Sequence, residues 1–304
     1  NYNIFPKSVK VFFTLLLFFI FLFIYLKESF KHKIHIAMSI DNKIIYSCIV
    51  LITSLLDNKA KSSFYIIHIL YNNSTLINPM NKIDKVLEKF GNNSAKIIYH
   101  NLGNDFKGAP TELFPLAAYY RISLPSLLSN IDKVLYTDVD VVNLKDLSEM
   151  YNIKFKNESY ICASLDYLHV RKELTDMGIN VDKYINAGVL LMNLKVMRKL
   201  SIEKKIREFI KTHFLNLFDQ TAINGVCHNN IQVLPFKYVH FAFNSFEKLV
   251  KLNNEQLPQY RVTESELKQA YDNPTLLHYF ANYKPWNIRY SGYRGVYWWY
   301  YAKI

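Results

Sequence analysis

Two aspartates one residue apart, Asp138 and Asp140, close the stretch Lys133-Val134-Leu135-Tyr136-Thr137-Asp138-Val139-Asp140. Val134 to Tyr136 reads as a buried parallel strand. Two carboxylates placed where such a strand leaves its sheet lie at the edge where open α/β sheets bind ligands. Hard oxygen ligands there suit a divalent cation that also holds phosphate oxygens. An acidic turn after a strand is the plain alternative, because Asp-x-Asp is short and common.

The elements that would carry this edge alternate along the chain. Ile34 to Ile40, Ser63 to Leu70 and Lys96 to Leu102 read as strands. Between them, Ile44 to Leu56 and Ile83 to Phe90 carry apolar residues at helical spacing, the second stopping at Gly91. A helix over Leu116 to Ser123, ended by Pro125, precedes the aspartate strand. Further on, Tyr160 to Leu165, Gly188 to Met192 and Leu276 to Tyr279 read as strands, and Ile202 to His213 and Asp219 to Val226 as helices. The alternation implies an α/β fold with a mainly parallel, doubly wound sheet. The chain has only eight glycines and no Gly-rich phosphate loop, so a metal and side chains would have to hold any phosphates.

Half of the 304 residues are hydrophobic and 15% are aromatic, which excludes a disordered chain. The net charge of +12 favours anionic partners. It is spread along the chain without a nucleic-acid-binding motif, so nucleic acid is not expected. Cys48, Cys162 and Cys227 form neither a disulfide framework nor a zinc spacing. Val11 to Leu26 is an uncharged apolar run flanked by lysines, slightly short of the roughly 20 residues that span a bilayer. It predicts a hydrophobic helix serving as a single-pass membrane anchor. Lysines on both flanks leave open which side the remainder occupies, the cytoplasmic face in a bacterium or the Golgi lumen in a eukaryote. Trp286, Trp298, Trp299 and several tyrosines crowd Pro285 to Ile304, a tail suited to packing on its own domain or to a membrane interface.

Five motifs in order resemble glycosyltransferase family 8, the group containing glycogenin and bacterial lipopolysaccharide galactosyl- and glucosyltransferases. They are Ile36-Ala37-Met38-Ser39-Ile40-Asp41, Tyr119 to Pro125, Val134 to Asp140, Tyr184 to Asn193 followed by Asp219-Gln220, and Leu277 to Trp286. The resemblance implies a GT-A type, Rossmann-like domain over residues 34–286. Residues 1–33 would form the tail and anchor, and residues 287–304 the aromatic tail. It further implies a retaining transfer of glucose or galactose from a UDP-hexose to a glycan, glycolipid or lipopolysaccharide, with Mn²⁺ (or Mg²⁺) as cofactor.

Carried over residue by residue, the resemblance gives Asp138, Asp140 and His278 to the metal. Asp41 would read the uracil, Lys284 would contact the diphosphate, and Arg121, Asp138, Asn186 and Ala187 would bind the donor. Asp219 and Gln220 would form the catalytic pair, Asp219 bonding the hexose hydroxyls and Gln220 lying near the face of the anomeric carbon opposite UDP. Arg121 has a second reading, an ion pair to a carboxylate such as Asp219. Two positions depart from the family pattern. Lys43 and Ile44 stand where Asn and an aromatic residue are usual, which leaves Tyr46 as the base-stacking candidate. Ala281 stands where Gly is usual, and its methyl group would crowd the donor. Acceptor contacts are expected from loops over His169 to Asp182 and Phe243 to Tyr260. A nucleotidyltransferase would also use the aspartate pair, but leaves His278 and Lys284 unexplained. A membrane-tethered UDP-sugar-binding or glycan-binding pseudoenzyme would use the same cleft without turnover.

Overall fold

The computed structural model describes residues 15–17, 32–72, 77–91, 94–109, 111, 115–166, 171–179, 183–213, 218–242, 245–255, 260–281, 284–287, 292 and 294–304. Seven strands form one sheet: β1 (His32–Ser39), β2 (Ser63–Tyr71), β3 (Ala95–Asn101), β4 (Lys133–Thr137), β6 (Ile161–Leu165), β7 (Ile185–Asn193) and β8 (Ile231–Val233), in the order β3-β2-β1-β4-β7-β6-β8. β1 to β4 run parallel, and β7 runs antiparallel to both its neighbours. The expected parallel strand before Asp138 is therefore parallel to β1 on one side and antiparallel to β7 on the other. A second sheet orders β5 (Val141–Asn143), β10 (Leu276–His278) and β9 (Val239–Phe241) as β5-β10-β9.

The alternation of side chains along each strand divides the core into two clusters. Ile34, Ile36 and Met38 of β1 pack with Leu135 of β4 and with Cys48, Leu51, Ile52 and Leu55 of the helix Ile45–Asp57. On the opposite face, Ala37, Val134 and Tyr136 pack with the 3₁₀ helix Leu116–Ser123 and the helices Ile202–Thr212 and Phe218–Cys227. Strands covered on both faces need apolar residues at nearly every position, which is why they read as unbroken runs.

Local chemistry explains several differences from the sequence reading. The second helix starts at Ile77, with Pro79 in its first turn, where a missing N–H costs little. Pro125 does not end a helix but sits in the first turn of Leu124–Leu127. The strands β5, β8 and β9, three residues each, are too short to show a period. The aromatic tail contains the helix Gly295–Lys303, whose Trp298 and Tyr301 pack against Val50, Leu277 and Tyr279. Both proposed acceptor loops contain helix, Arg171–Asp176 and Phe246–Asn254. Residues 169–170, 180–182, 243–244 and 256–259 of those segments lie outside the described residues.

The N-terminal hydrophobic helix, and with it the anchor and membrane localisation expected from Val11 to Leu26, requires correction. Among the described residues no helix is long and apolar enough to cross a membrane. Of that run only Leu15, Leu16 and Leu17 are described, helical and exposed, and the rest lies outside the described residues. At sixteen residues the run is also below the roughly 20 that span a bilayer.

Three histidines form a ladder across β1, β2 and β3. His35 Nδ1 lies 3.0 Å from His68 Nε2, and His68 Nδ1 lies 2.9 Å from His100 Nε2. Burial, with His100 and His35 as neighbours, pushes the His68 ring down to about 3. Burial, with Lys33 adding, also lowers His35, and burial lowers His100. The unfolded chain takes up protons near pH 6.5 that the folded ladder refuses, so stability falls as the pH drops from there toward 3. The melting temperature should fall between pH 7 and pH 5, and His68→Phe should make that fall shallower. Equal slopes in thermal melts of both proteins would contradict the ladder's role.

Candidate functional site

The turn Asp138-Val139-Asp140 joins β4 of the large sheet to β5 of the small one. Asp138 N–H donates to Gly188 O at 2.7 Å, which fixes the turn to β7. On the other side His278 pairs with Val141 in the β5–β10 register, and Tyr279 N–H donates to Asp140 O at 2.9 Å. These backbone ties bring a histidine from far along the chain beside the carboxylates. One ligand atom from each of Asp138, Asp140 and His278 lies within 4.8 Å of the others.

The donor atoms fit a divalent cation. Asp140 Oδ1 is buried 3.2 Å from His278 Nε2 and accepts no hydrogen bond. The His278 ring is buried, with Phe241 at 5.6 Å and Phe280 at 6.4 Å between centroids. Mixed carboxylate and imidazole donors suit Mn²⁺ better than Ca²⁺. Asp140 Oδ2 is ion-paired with Lys284 Nζ, which also donates to Tyr279 O at 2.7 Å. Burial alone would raise the Asp140 carboxyl, but Lys284 and His278 outweigh it and hold the group well below the usual carboxylate range. Asp138 moves the other way, raised by burial against the pull of Arg121, with Asp140 adding to the rise. The two neighbouring carboxylates separate because Lys284 and His278 act on Asp140, whereas burial dominates at Asp138.

Arg121 is the buried clamp of the site. Its Nη2 donates to Asp138 Oδ1 at 2.8 Å, its Nε lies 3.1 Å from Asp219 Oδ2, and its Nη1 donates to Ala187 O. The guanidinium rests on the Tyr136 ring at 4.5 Å, and Tyr136 O–H donates to Asp138 Oδ1 at 2.9 Å. The ion-pair reading of Arg121 is therefore realised, and with two carboxylates rather than one. Removing one partner of such a buried group typically costs about 3–5 kcal/mol. Burial pushes Asp219 up to about 6, with Arg121 opposing and Asp138 adding to the rise.

The helix Phe218–Cys227 places the far wall. Asn224 Oδ1 accepts from Ile185 N–H at 2.7 Å, and Asn224 Nδ2 donates to Ile185 O at 2.9 Å, locking the helix to β7. One turn earlier, Gln220 Oε1 accepts from Ala187 N–H at 2.9 Å, and its Nε2 donates to Asp166 Oδ2 at 3.0 Å. Asn186 Nδ2 donates to the same Asp166 oxygen at 2.9 Å. Asp166 orients two predicted site residues and escaped the sequence reading, because a lone Asp after a strand carries no spacing signal. Gly188 was also missed as a site residue. A Cβ there would sit 2.3 Å from His278 Cε1 and 2.9 Å from Asp138 Oδ2.

Nine of the ten predicted site residues line one cleft of about 560 Å³: Arg121, Asp138, Asp140, Asn186, Ala187, Asp219, Gln220, His278 and Lys284. Asp41 is the exception. Its Oδ1 accepts from Lys43 N–H at 2.7 Å and Ile44 N–H at 3.2 Å, at the start of the helix Ile45–Asp57. Ile44 lines the cleft, whereas Tyr46 lines a separate hollow with Lys89 and Trp298. Ala281 lines the cleft with φ +50°, a left-handed backbone that favours glycine.

Residues 35–289 match the family model of Glycosyl transferase family 8. Among curated relatives, General stress protein A of Bacillus subtilis is 28% identical over 179 residues, covering 56% of this chain and 59% of that protein. A lipopolysaccharide 1,3-galactosyltransferase of Salmonella typhimurium is 24% identical over 273 residues, 86% of this chain and 76% of that protein. A lipopolysaccharide 1,2-glucosyltransferase of Escherichia coli is 25% identical over 58% of this chain and 51% of that protein. The chain thus spans between half and three-fifths of the Bacillus and Escherichia proteins. The galactosyltransferase LgtC, solved with donor and acceptor sugar analogs, superposes with a TM-score of 0.72 at 21% identity, covering 89% of this chain and 95% of LgtC. That likeness shows the fold, an α/β GT-A type with a mainly parallel sheet.

The crowding at Gly188 gives a direct check on the cation site. Gly188→Ala should fold but weaken divalent-cation binding by about tenfold or more, because His278 or Asp138 must give way. Titration calorimetry with Mn²⁺ on a variant of unchanged circular dichroism tests this, and an unaltered affinity would contradict it.

Proposed function

The chain belongs to glycosyl transferase family 8, and from that membership we propose that it is a retaining hexosyltransferase. In this reading it moves glucose or galactose from a UDP-hexose to a glycan, glycolipid or lipopolysaccharide acceptor. The observation that carries the reading is the convergence of nine predicted residues on one cleft. A trio suited to a cation, half-buried at Asp138 and Asp140 and buried at His278, lies beside an amide-rich wall.

In the proposed mechanism Asp138, Asp140 and His278 hold Mn²⁺ (or Mg²⁺). When bound, the cation would neutralise the donor diphosphate and stabilise UDP as it leaves. Lys284 offers a fixed positive charge to the same diphosphate. Asn186 and Asp219 accept or donate hydrogen bonds to the hexose hydroxyls, and Ala187 contributes through its backbone. Arg121 holds Asp138 and Asp219 in register. Gln220, tied to Asp166, would face the same sugar. An amide oxygen is a poor nucleophile, so retention is assigned to same-face attack through a short-lived oxocarbenium ion. Gln220 would stabilise its positive charge, and the Ala187 and Asp166 contacts would hold that amide in place.

The pseudoenzyme reading draws on the left-handed Ala281, which places a methyl group at the cleft. One panel of UDP-sugars separates the two, because donor hydrolysis needs no acceptor. The hexosyltransferase should release UDP from UDP-glucose or UDP-galactose only with Mn²⁺ or Mg²⁺, and Asp140→Asn should reduce release to background. Full release without any divalent ion would refute the proposal, and UDP binding without turnover would favour the pseudoenzyme.

A further inference from the structure

Asp140 is asked to serve two cations. Its Oδ1 faces His278 Nε2 at 3.2 Å without a hydrogen bond, while Oδ2 is held by Lys284 Nζ. Lys284 is not a loose surface lysine. Its ammonium also donates to Tyr279 O at 2.7 Å, and Tyr279 N–H in turn donates to Asp140 O at 2.9 Å. The lysine is therefore pinned to the strand end that carries His278. A divalent ion on Asp138, Asp140 and His278 would share that carboxylate with the ammonium, and like charges at such range repel strongly in a half-buried cleft. Ala281 is held at φ +50°, a region L side chains rarely adopt.

Resting on the metal reading above, we propose that Lys284 is an internal counter-ion. It competes with the divalent cation for Asp140 and is handed to the donor's diphosphate when the cation binds. Lys284 thereby couples the loading of the two ligands. A cation arriving alone must displace the ammonium, so its apparent affinity is reduced by the fraction of molecules in which the lysine is in place. A diphosphate arriving alone meets a lysine already neutralised by Asp140. Each ligand helps the other, and by linkage the help is equal in both directions.

The test uses Lys284→Met, which keeps much of the side chain and removes the charge. Mn²⁺ binding is measured on the full chain by calorimetry or electron paramagnetic resonance without nucleotide, then UDP binding at saturating Mn²⁺. Lys284→Met should bind Mn²⁺ alone roughly tenfold more tightly than the unsubstituted chain and bind UDP more weakly. Lys284→Arg keeps the charge and should leave the affinity for Mn²⁺ alone nearly unchanged. A merely structural lysine would weaken both ligands in the Met variant. If both chains bind Mn²⁺ equally, or the Met variant binds it less well, the competition is overturned while the metal site stands. If neither binds Mn²⁺, with or without UDP, the metal reading falls and the competition with it.

Discussion

Crowding of carboxylates in a half-buried cleft governs how the surrounding elements are arranged. Asp138, Asp140, Asp166 and Asp219 all line one cavity. Burying ionised carboxylates is costly unless each has a counter-charge or donors. Arg121 answers Asp138 and Asp219, Lys284 answers Asp140, and the amides of Asn186 and Gln220 answer Asp166. This concentration of carboxylates suits that part of the cleft to a cation.

Two sheets meet at this cleft. The turn from Asp138 to Asp140 leaves β4 in the large sheet and enters β5 in the small one. The antiparallel pairing of β5 with β10 then delivers His278. The pairing of β4 with β7 delivers the segment Asn186-Ala187-Gly188. Gly188 matters here for space rather than for backbone freedom, because the His278 ring and the Asp138 carboxylate converge over it. A divergent backbone at either pairing would separate residues that only together resemble a site.

Much of this was legible in the sequence because it rests on periodicity and motif order. The alternation of strands and helices through Asp140 places the aspartates at a strand end, and nine of the ten site residues converge as expected. The remainder escaped for identifiable reasons. Three-residue strands such as β5 and β9 have no measurable period, so the small sheet that seats His278 was not seen as a sheet. Asp166 and Gly188 act through proximity, which spacing does not encode. Tyr46 was a reasonable stacking candidate by type, but its helix turns it into the other hollow. The apolar run Val11 to Leu26 looked like an anchor by hydropathy, and among the described residues no membrane-crossing helix supports it.

In the proposed site Asp138, Asp140 and His278 together bind the divalent cation that holds the donor diphosphate. Crystals grown with MnCl₂ and UDP, measured for anomalous scattering at the manganese edge, test it most directly. The predicted result is one strong peak within bonding distance of an oxygen of Asp138, an oxygen of Asp140 and His278 Nε2, adjoining the UDP phosphates. A map with UDP bound in the cleft and no manganese peak there, or with the peak on other residues, would contradict it.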